Sequence, residues 1–124
     1  MNILLVDDNE ELREFLALSL AESGIETTTA ATPGEALRKS DIVRFDVIVI
    51  DSVLGSEDGL NLVDKIRASK NGKTTPILYM STIATALARR MATASGCNEF
   101  LVKPFGNGQL VEQIQALGRT SGRR

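Results

Sequence analysis

Short apolar segments of strand length alternate along this chain with segments whose apolar residues recur at helical spacing. The apolar segments predict strands at residues 3–6, 25–29, 45–50, 76–80 and 100–102. A helical pattern follows each of them. Strands joined in this way by right-handed crossovers form a parallel sheet with helices on both faces. We therefore predict an α/β fold built on a doubly wound five-stranded parallel sheet.

Capping and turn residues set the expected limits of the helices. Asn9 is a good N-cap for the first helix, and the sequence from Thr32 to Glu35 reads as a capping box with proline at the first helical position. A loop containing Gly55 leads to the third helix. Residues 1–117 are enough for one domain, and 118–124, which lack apolar periodicity, are expected to be a flexible tail or the start of a linker.

Composition excludes several classes of function. Sixteen acidic and fourteen basic residues give a net charge of −2, which offers no general reason to bind nucleic acid or a membrane. The single cysteine, Cys97, cannot form an intrachain disulfide. The first residues do not have the pattern of a signal peptide, and no window is apolar enough to span a membrane, so we expect a cytoplasmic protein. The chain contains no histidine, which excludes imidazole-based triads and a histidine general base.

Polar residues stand where the predicted strands end. Asp7 and Asp8 follow the first strand, Asp51 the third, Ser81 the fourth and Lys103 the fifth. In open parallel sheets, ligands bind beyond the carboxyl ends of the strands, so these side chains are expected to converge. Three neighbouring carboxylates repel one another unless a cation joins them. Their oxygen ligands match what Mg²⁺ prefers.

An aspartate at this edge suits phosphoryl transfer. A carboxylate, with its reference pKa of ~3.9, is ionised at neutral pH and can attack phosphorus without a general base, which fits the missing histidine. Transfer then needs mainly positioning and neutralisation of charge, and a metal together with Lys103 would supply both.

The motifs LLVDD, VIVID, YMS and LVKPF occur in this order, each at the end of a predicted strand. In this pattern the chain resembles the receiver domain of two-component response regulators, over essentially residues 1–117. The resemblance implies a flavodoxin-like (β/α)5 fold with strand order 2-1-3-4-5. It also implies a signalling switch that uses Mg²⁺ and is phosphorylated by a histidine kinase.

The resemblance assigns roles around the phosphorylation site. Asp51 would be the phosphoacceptor, and Asp7, Asp8 and Asp51 would hold Mg²⁺ together with the backbone carbonyl of Val53.

A second group of residues would bind the phosphoryl group or respond to it. Ser81 would hydrogen-bond to it and Lys103 would pair with it, while Phe100 would be an aromatic side chain that turns inward when Ser81 moves. The peptide bond between Lys103 and Pro104 would be cis. Ser81 could also cap the following helix, in place of that role or in addition to it, and Phe100 could be a plain core residue.

The expected partners are a histidine kinase or phosphotransfer protein, and a downstream protein or fused output domain that binds the face formed by the fourth helix, fifth strand and fifth helix. A phosphorylation-dependent homodimer is a further possibility. Arg89 and Arg90 on the fourth helix read either as a solvated face or as part of a docking surface. By this interpretation the protein is a regulated binding module, not a metabolic enzyme, and it catalyses only its own phosphorylation and dephosphorylation.

Three positions depart from the family pattern. Gly55 stands where a proline is common and frees the loop, Thr82 is larger than the usual alanine or glycine, and Phe100 replaces a frequent tyrosine. Two other functions remain as alternatives. One is a receiver-like scaffold that works without phosphorylation. The other is a haloacid-dehalogenase-like phosphatase, which needs a second aspartate where this chain has Val53.

Overall fold

The computed structural model describes residues 1–121, and its centre is one parallel sheet of five strands. All neighbouring strands in this sheet run parallel. The strands are β1 (Asn2–Val6), β2 (Glu26–Ala30), β3 (Val47–Asp51), β4 (Ile77–Ser81) and β5 (Glu99–Val102). Their order across the sheet is β2-β1-β3-β4-β5. The predicted doubly wound fold and its 2-1-3-4-5 order are therefore confirmed.

Five helices connect and flank these strands. They are α1 (Glu10–Glu22), α2 (Pro33–Ile42), α3 (Gly59–Ala68), α4 (Ala86–Ser95) and α5 (Asn107–Ser121). Helix α5 continues past the predicted end of the domain at Leu117, so residues 118–121 of the expected tail are helical, and 122–124 lie outside the described residues. None of the described helices combines the length and apolar character needed to cross a bilayer.

The sheet is buried on both faces, and successive residues of β3 show how. Ile48 and Ile50 join the hydrophobic cluster that includes residues of α2, α3 and α4. Val47 and Val49 join the cluster that includes residues of α1 and α5. Side chains alternate between the faces of a strand, so a strand covered on both faces must be apolar throughout. This is why the central strands read as continuous apolar runs.

Side-chain caps begin the helices at the residues that the sequence indicates. The Asn9 side chain accepts a hydrogen bond from the N–H of Leu12 at 3.0 Å, which starts α1 directly after β1. At α2, the Thr32 hydroxyl accepts from the N–H of Glu35 at 3.1 Å. The Glu35 carboxylate reaches back to the N–H of Ala31 at 2.8 Å, one residue before the cap. These caps fix where the loops at the carboxyl edge end.

The segment after β3 is more ordered than the sequence predicts. Instead of the expected loop, it forms a short antiparallel hairpin that pairs Val53–Leu54 with Glu57–Asp58. Gly55 turns the chain with φ +65°, a conformation that glycine adopts without steric cost. Asp58 then caps α3 by accepting from the N–H of Leu60 at 2.9 Å. Two-residue strands are too short to leave a periodic pattern, so the sequence could not reveal them.

Candidate functional site

The three predicted carboxylates meet at one point of the carboxyl edge. Asp7 and Asp8 follow β1, and Asp51 is the last residue of β3, its parallel neighbour in the sheet. One carboxylate oxygen from each lies within 4.8 Å of those of the other two. Asp7 and Asp51 are buried, whereas Asp8 is exposed. The register of the two strands therefore builds an acidic cluster with one open side.

Asp7 is fully buried, and its two oxygens differ. Oδ1 accepts a hydrogen bond from the N–H of Asn9 at 2.9 Å, and Arg13 donates to the backbone carbonyl of Asp7 at 2.8 Å. Oδ2 is buried and has no hydrogen-bond partner among the described residues. Burial raises the pKa of the Asp7 carboxyl, the Asn9 N–H opposes that shift, and the nearby charge of Asp51 adds to it. A buried carboxylate oxygen without a partner fits a site made for a cation.

The Asp8 carboxylate is held by a hydrogen bond from the hairpin that follows β3. Its Oδ2 accepts a hydrogen bond of 2.9 Å from the backbone N–H of Gly55, 47 residues away at the turn of the hairpin. The exposed member of the cluster is thus tied to the segment that follows Asp51.

Lys103 brings a positive charge to the cluster from the end of β5. Its Nζ lies 3.0 Å from Asp51 Oδ2 and 4.0 Å from Asp7 Oδ2. The Lys103 N–H donates to the backbone carbonyl of Ser81 at 2.9 Å, which fixes where the side chain starts. The Lys103–Pro104 peptide bond is cis. One cation against three carboxylates leaves an excess of negative charge, so the site can still attract a second cation.

Ser81 is the buried last residue of β4, the strand that pairs with β3. Its hydroxyl accepts a hydrogen bond from the N–H of Ile83 at 3.0 Å. Helix α4 is capped by a different residue, Thr85, whose hydroxyl accepts from the N–H of Ala88 at 3.1 Å. Ser81 therefore orders the β4–α4 loop without capping the helix, and it also lines a cavity of about 410 Å³ that opens next to the hairpin.

Phe100 lies half-buried on β5 between two groups. Its ring centroid is 5.8 Å from that of Tyr79, with a tilt of 56°, and the guanidinium carbon of Arg89 is 4.9 Å from the Phe100 centroid. Burial raises the pKa of the Tyr79 phenol, and the nearby charge of Asp58 adds to this. A cation over an aromatic face is attractive, so Arg89 joins α4 to the Phe100 ring. Sequence reasoning misses the role of Arg89 in this contact, because nothing in the sequence pairs it with Phe100.

Gly59 is a second residue whose role the sequence conceals. Its N–H donates to the carbonyl of Ser52 at 2.8 Å, and an added Cβ would lie 2.2 Å from the backbone carbonyl oxygen of Asp51. Only glycine lets the start of α3 pass so close to the end of β3. The other two positions nearby, Val53 in the hairpin and Thr82 after β4, are exposed.

The fold and the site together define a small α/β domain with an acidic, lysine-bearing cleft at the carboxyl edge of a parallel sheet. The profile of one family, described as the response regulator receiver domain, matches residues 3–115. The chain therefore belongs to the receiver-domain family of two-component response regulators.

Individual relatives agree with this assignment. The transcriptional regulatory protein PrrA of Mycobacterium leprae is 34% identical over 120 residues, which cover 97% of this chain and 51% of PrrA. The chain spans about half the length of this and other curated relatives that it matches. Among solved structures, the chemotaxis protein CheY4 of Vibrio cholerae superposes with a TM-score of 0.89 at 34% identity, covering 94% of this chain and 97% of CheY4.

A further solved structure bears on the metal. The receiver domain of the sensor histidine kinase PA1611 from Pseudomonas aeruginosa is 30% identical, with a TM-score of 0.86, and the match covers 95% of this chain and 97% of that domain. That structure has a magnesium ion coordinated in its active-site cleft.

Proposed function

We propose that this domain is a phosphorylation-operated switch in which Asp51 accepts a phosphoryl group from a histidine kinase or a phosphotransfer protein. The observation that carries the proposal is the pairing of the buried Asp51 carboxylate with Lys103 Nζ at 3.0 Å, beside Asp7 and Asp8. A nucleophilic carboxylate, a fixed ammonium and two further acids are the groups that an aspartyl phosphorylation site needs.

The donor set supports Mg²⁺ as the cofactor. Asp7, Asp8 and Asp51 would hold the ion through carboxylate oxygens, and Val53 would contribute its backbone carbonyl. The unpartnered Oδ2 of Asp7 supports this assignment, because a cation would satisfy it. When bound, Mg²⁺ supplies positive charge and a template for phosphate oxygens.

The chain's own residues then account for the transfer. An oxygen of Asp51 forms a bond to phosphorus as the bond between phosphorus and the donor's leaving atom breaks. Lys103 offsets the charge on the phosphoryl oxygens. Asp51 needs no residue to remove a proton, since a carboxylate is already a nucleophile. The Ser81 hydroxyl, which accepts from Ile83 in this structure, would donate its own proton in a hydrogen bond to the phosphoryl group.

Residues beside Ser81 would carry the effect of phosphorylation to a binding surface. Movement of the β4–α4 loop toward the phosphoryl group would let Phe100 turn further inward and would alter the face made by α4, β5 and α5. The contact of Arg89 with Phe100 supports this route, because it joins α4 to the ring. We expect that face to bind a downstream protein or output domain, or a second copy of the chain, in the cytoplasm. The domain is then a regulated binding module, not a metabolic enzyme.

Mass spectrometry tests the proposal. The intact protein is incubated with acetyl phosphate and Mg²⁺, and its mass is compared with that of Asp51→Asn and of Asp41→Asn, an exposed control on α2. Wild type and Asp41→Asn should gain the mass of one phosphoryl group, which chelation of Mg²⁺ prevents, while Asp51→Asn gains nothing. Equal labelling of Asp51→Asn would refute the assignment. No labelling of wild type would favour the phosphorylation-independent scaffold.

A further inference from the structure

The backbone N–H of Gly55 enters the acidic cluster from the hairpin after β3. It donates to Asp8 Oδ2 at 2.9 Å, across 47 residues of sequence. Asp7 is oriented by burial and by the N–H of Asn9. Asp8 is exposed, so burial does not orient its carboxylate. Among residues 1–121, the Gly55 N–H is therefore the group that restricts the rotation of this side chain.

The hairpin fixes where this N–H points. On one side of the turn, Leu54 is 3% exposed and belongs to the hydrophobic core, and on the other, Asp58 caps α3. Between these two anchors, Gly55 adopts φ +65°, and a Cβ there would meet nothing within 4 Å. The requirement for glycine is thus one of backbone conformation, not of space. Proline cannot adopt this φ and has no N–H to donate.

We propose that Gly55 is a positioning residue for Mg²⁺, whose N–H orients Asp8 so that its second oxygen faces Asp7 and Asp51. The bond occupies one oxygen of the carboxylate and leaves Oδ1 available as a ligand. This inference rests on the proposed function, because it concerns the ion that the phosphorylation site would hold. Outer contacts that orient a ligand raise metal affinity by reducing the freedom lost on binding.

The same bond couples the hairpin to the metal. If the Gly55 N–H favours the orientation of Asp8 that binds the ion, bound ion must by the same amount favour the hairpin that presents the N–H. Occupancy of the site would then stabilise the turn that begins only four residues after Asp51.

Calorimetric titration with Mg²⁺ tests this inference on three proteins, wild type, Gly55→Pro and Gly55→Asn. Gly55→Pro loses the donor, so its dissociation constant should rise on the order of tenfold. Gly55→Asn is the matched variant, since asparagine tolerates positive φ and keeps the N–H, and its affinity should stay close to that of wild type. Urea unfolding of the metal-free proteins separates loss of affinity from loss of fold.

A second measurement does not depend on the proline variant. Amide exchange in metal-free protein, followed by NMR, should show the Gly55 amide protected in wild type and unprotected in Asp8→Ala. The inference is overturned if that amide exchanges equally fast in both proteins, or if folded Gly55→Pro binds Mg²⁺ as tightly as wild type or more tightly. Failure of wild type both to bind Mg²⁺ and to accept phosphate would overturn the proposed function as well, so the two failures are distinguishable.

Discussion

Replacing Asp7 by asparagine should stabilise the metal-free protein. The side chain is fully buried, and its Oδ2 has no hydrogen-bond partner among the described residues. Asparagine keeps the oxygen that accepts from the N–H of Asn9, and it turns the unpartnered atom into a donor that faces carboxylates. The substitution therefore removes a buried charge while it retains the contact that orders the start of α1.

The size of the gain follows from the distances. Attraction of Asp7 to Lys103 at 4.0 Å is worth about 4 kcal/mol at an effective dielectric constant of ~20. At the same dielectric constant, a carboxylate oxygen within 4.8 Å repels Asp7 by about 3 kcal/mol, which applies to Asp51. The repulsion from Asp8 is smaller, because Asp8 is exposed and solvent screens its charge. Desolvation of an unpartnered buried group adds about 1–3 kcal/mol. The variant should thus gain about 1–3 kcal/mol of unfolding free energy, which corresponds to about 3–5 °C in Tm per kcal/mol.

Urea and thermal unfolding in the presence of a chelator measure this gain. Glu14→Gln makes the same change of charge on the exposed face of α1 and should leave stability within about 0.5 kcal/mol of wild type. With Mg²⁺ at a thousandfold excess over Kd the order should reverse, because only wild type would bind the ion tightly and that binding adds about 4 kcal/mol.

The pH dependence has a definite sign. Because burial raises the folded pKa of Asp7, the folded protein binds a proton in acid that the unfolded chain does not yet bind. Above the folded pKa, the ionised Asp7 carboxylate lowers the free energy of unfolding of wild type. This destabilisation decreases as pH falls through the folded pKa, so the stability advantage of Asp7→Asn should shrink in acid. A variant that is less stable than wild type without metal, while Glu14→Gln is unchanged, would refute the reasoning.

Three further substitutions test other parts of the fold by urea unfolding. Arg67→Met should cost about 3 kcal/mol, because the half-buried guanidinium donates to several backbone carbonyls, including that of Gly96, and charged hydrogen bonds are the strong ones. Gly59→Ala should cost about 1–3 kcal/mol through its clash with the Asp51 carbonyl, whereas Gly108→Ala, which meets nothing within 4 Å, should not destabilise. Glu35→Gln should destabilise at neutral pH only. The folded pKa of Glu35 is lowered first by the N–H that it accepts and then by Lys39, so its contribution is present above the unfolded pKa and is lost as pH falls through the folded one. An equal difference from wild type at acid and neutral pH would contradict this.

The sequence predicts the fold well because the sheet is buried on both faces. A continuous apolar run such as that of β3, set between two helical patterns, is typical of a strand that helices cover on both sides. The sequence of β2, ETTTA, is less apolar than that of β3, and this strand lies at the edge of the sheet with only Ala30 fully buried. Residues 118–121, which the sequence places in a tail because they carry no apolar periodicity, extend α5, since such a turn can continue an existing helix at little cost.

The side chains that form the site can also be predicted from the sequence, whereas the backbone contacts that position them cannot. Each of the acids, together with Lys103, lies at or just after the end of a strand, so the rule for parallel sheets brings them together. The N–H of Gly55 and the close approach at Gly59 depend on φ angles and interatomic distances, which no residue type encodes by itself. Contacts such as that of Arg89 with Phe100 join separate elements, so they appear only when the elements are packed.

The acidic cluster depends on both its side chains and the backbone contacts that hold them. A buried carboxylate with an unpartnered oxygen, crowded by two others and offset by one lysine, is unfavourable for the stability of a metal-free domain. The fold nevertheless orients each member separately: Asp7 by the N–H of Asn9, Asp8 by the hairpin, and Asp51 by Lys103. Groups that repel one another and are still held in place indicate an arrangement suited to a bound cation, since a cation relieves the repulsion among the three carboxylates.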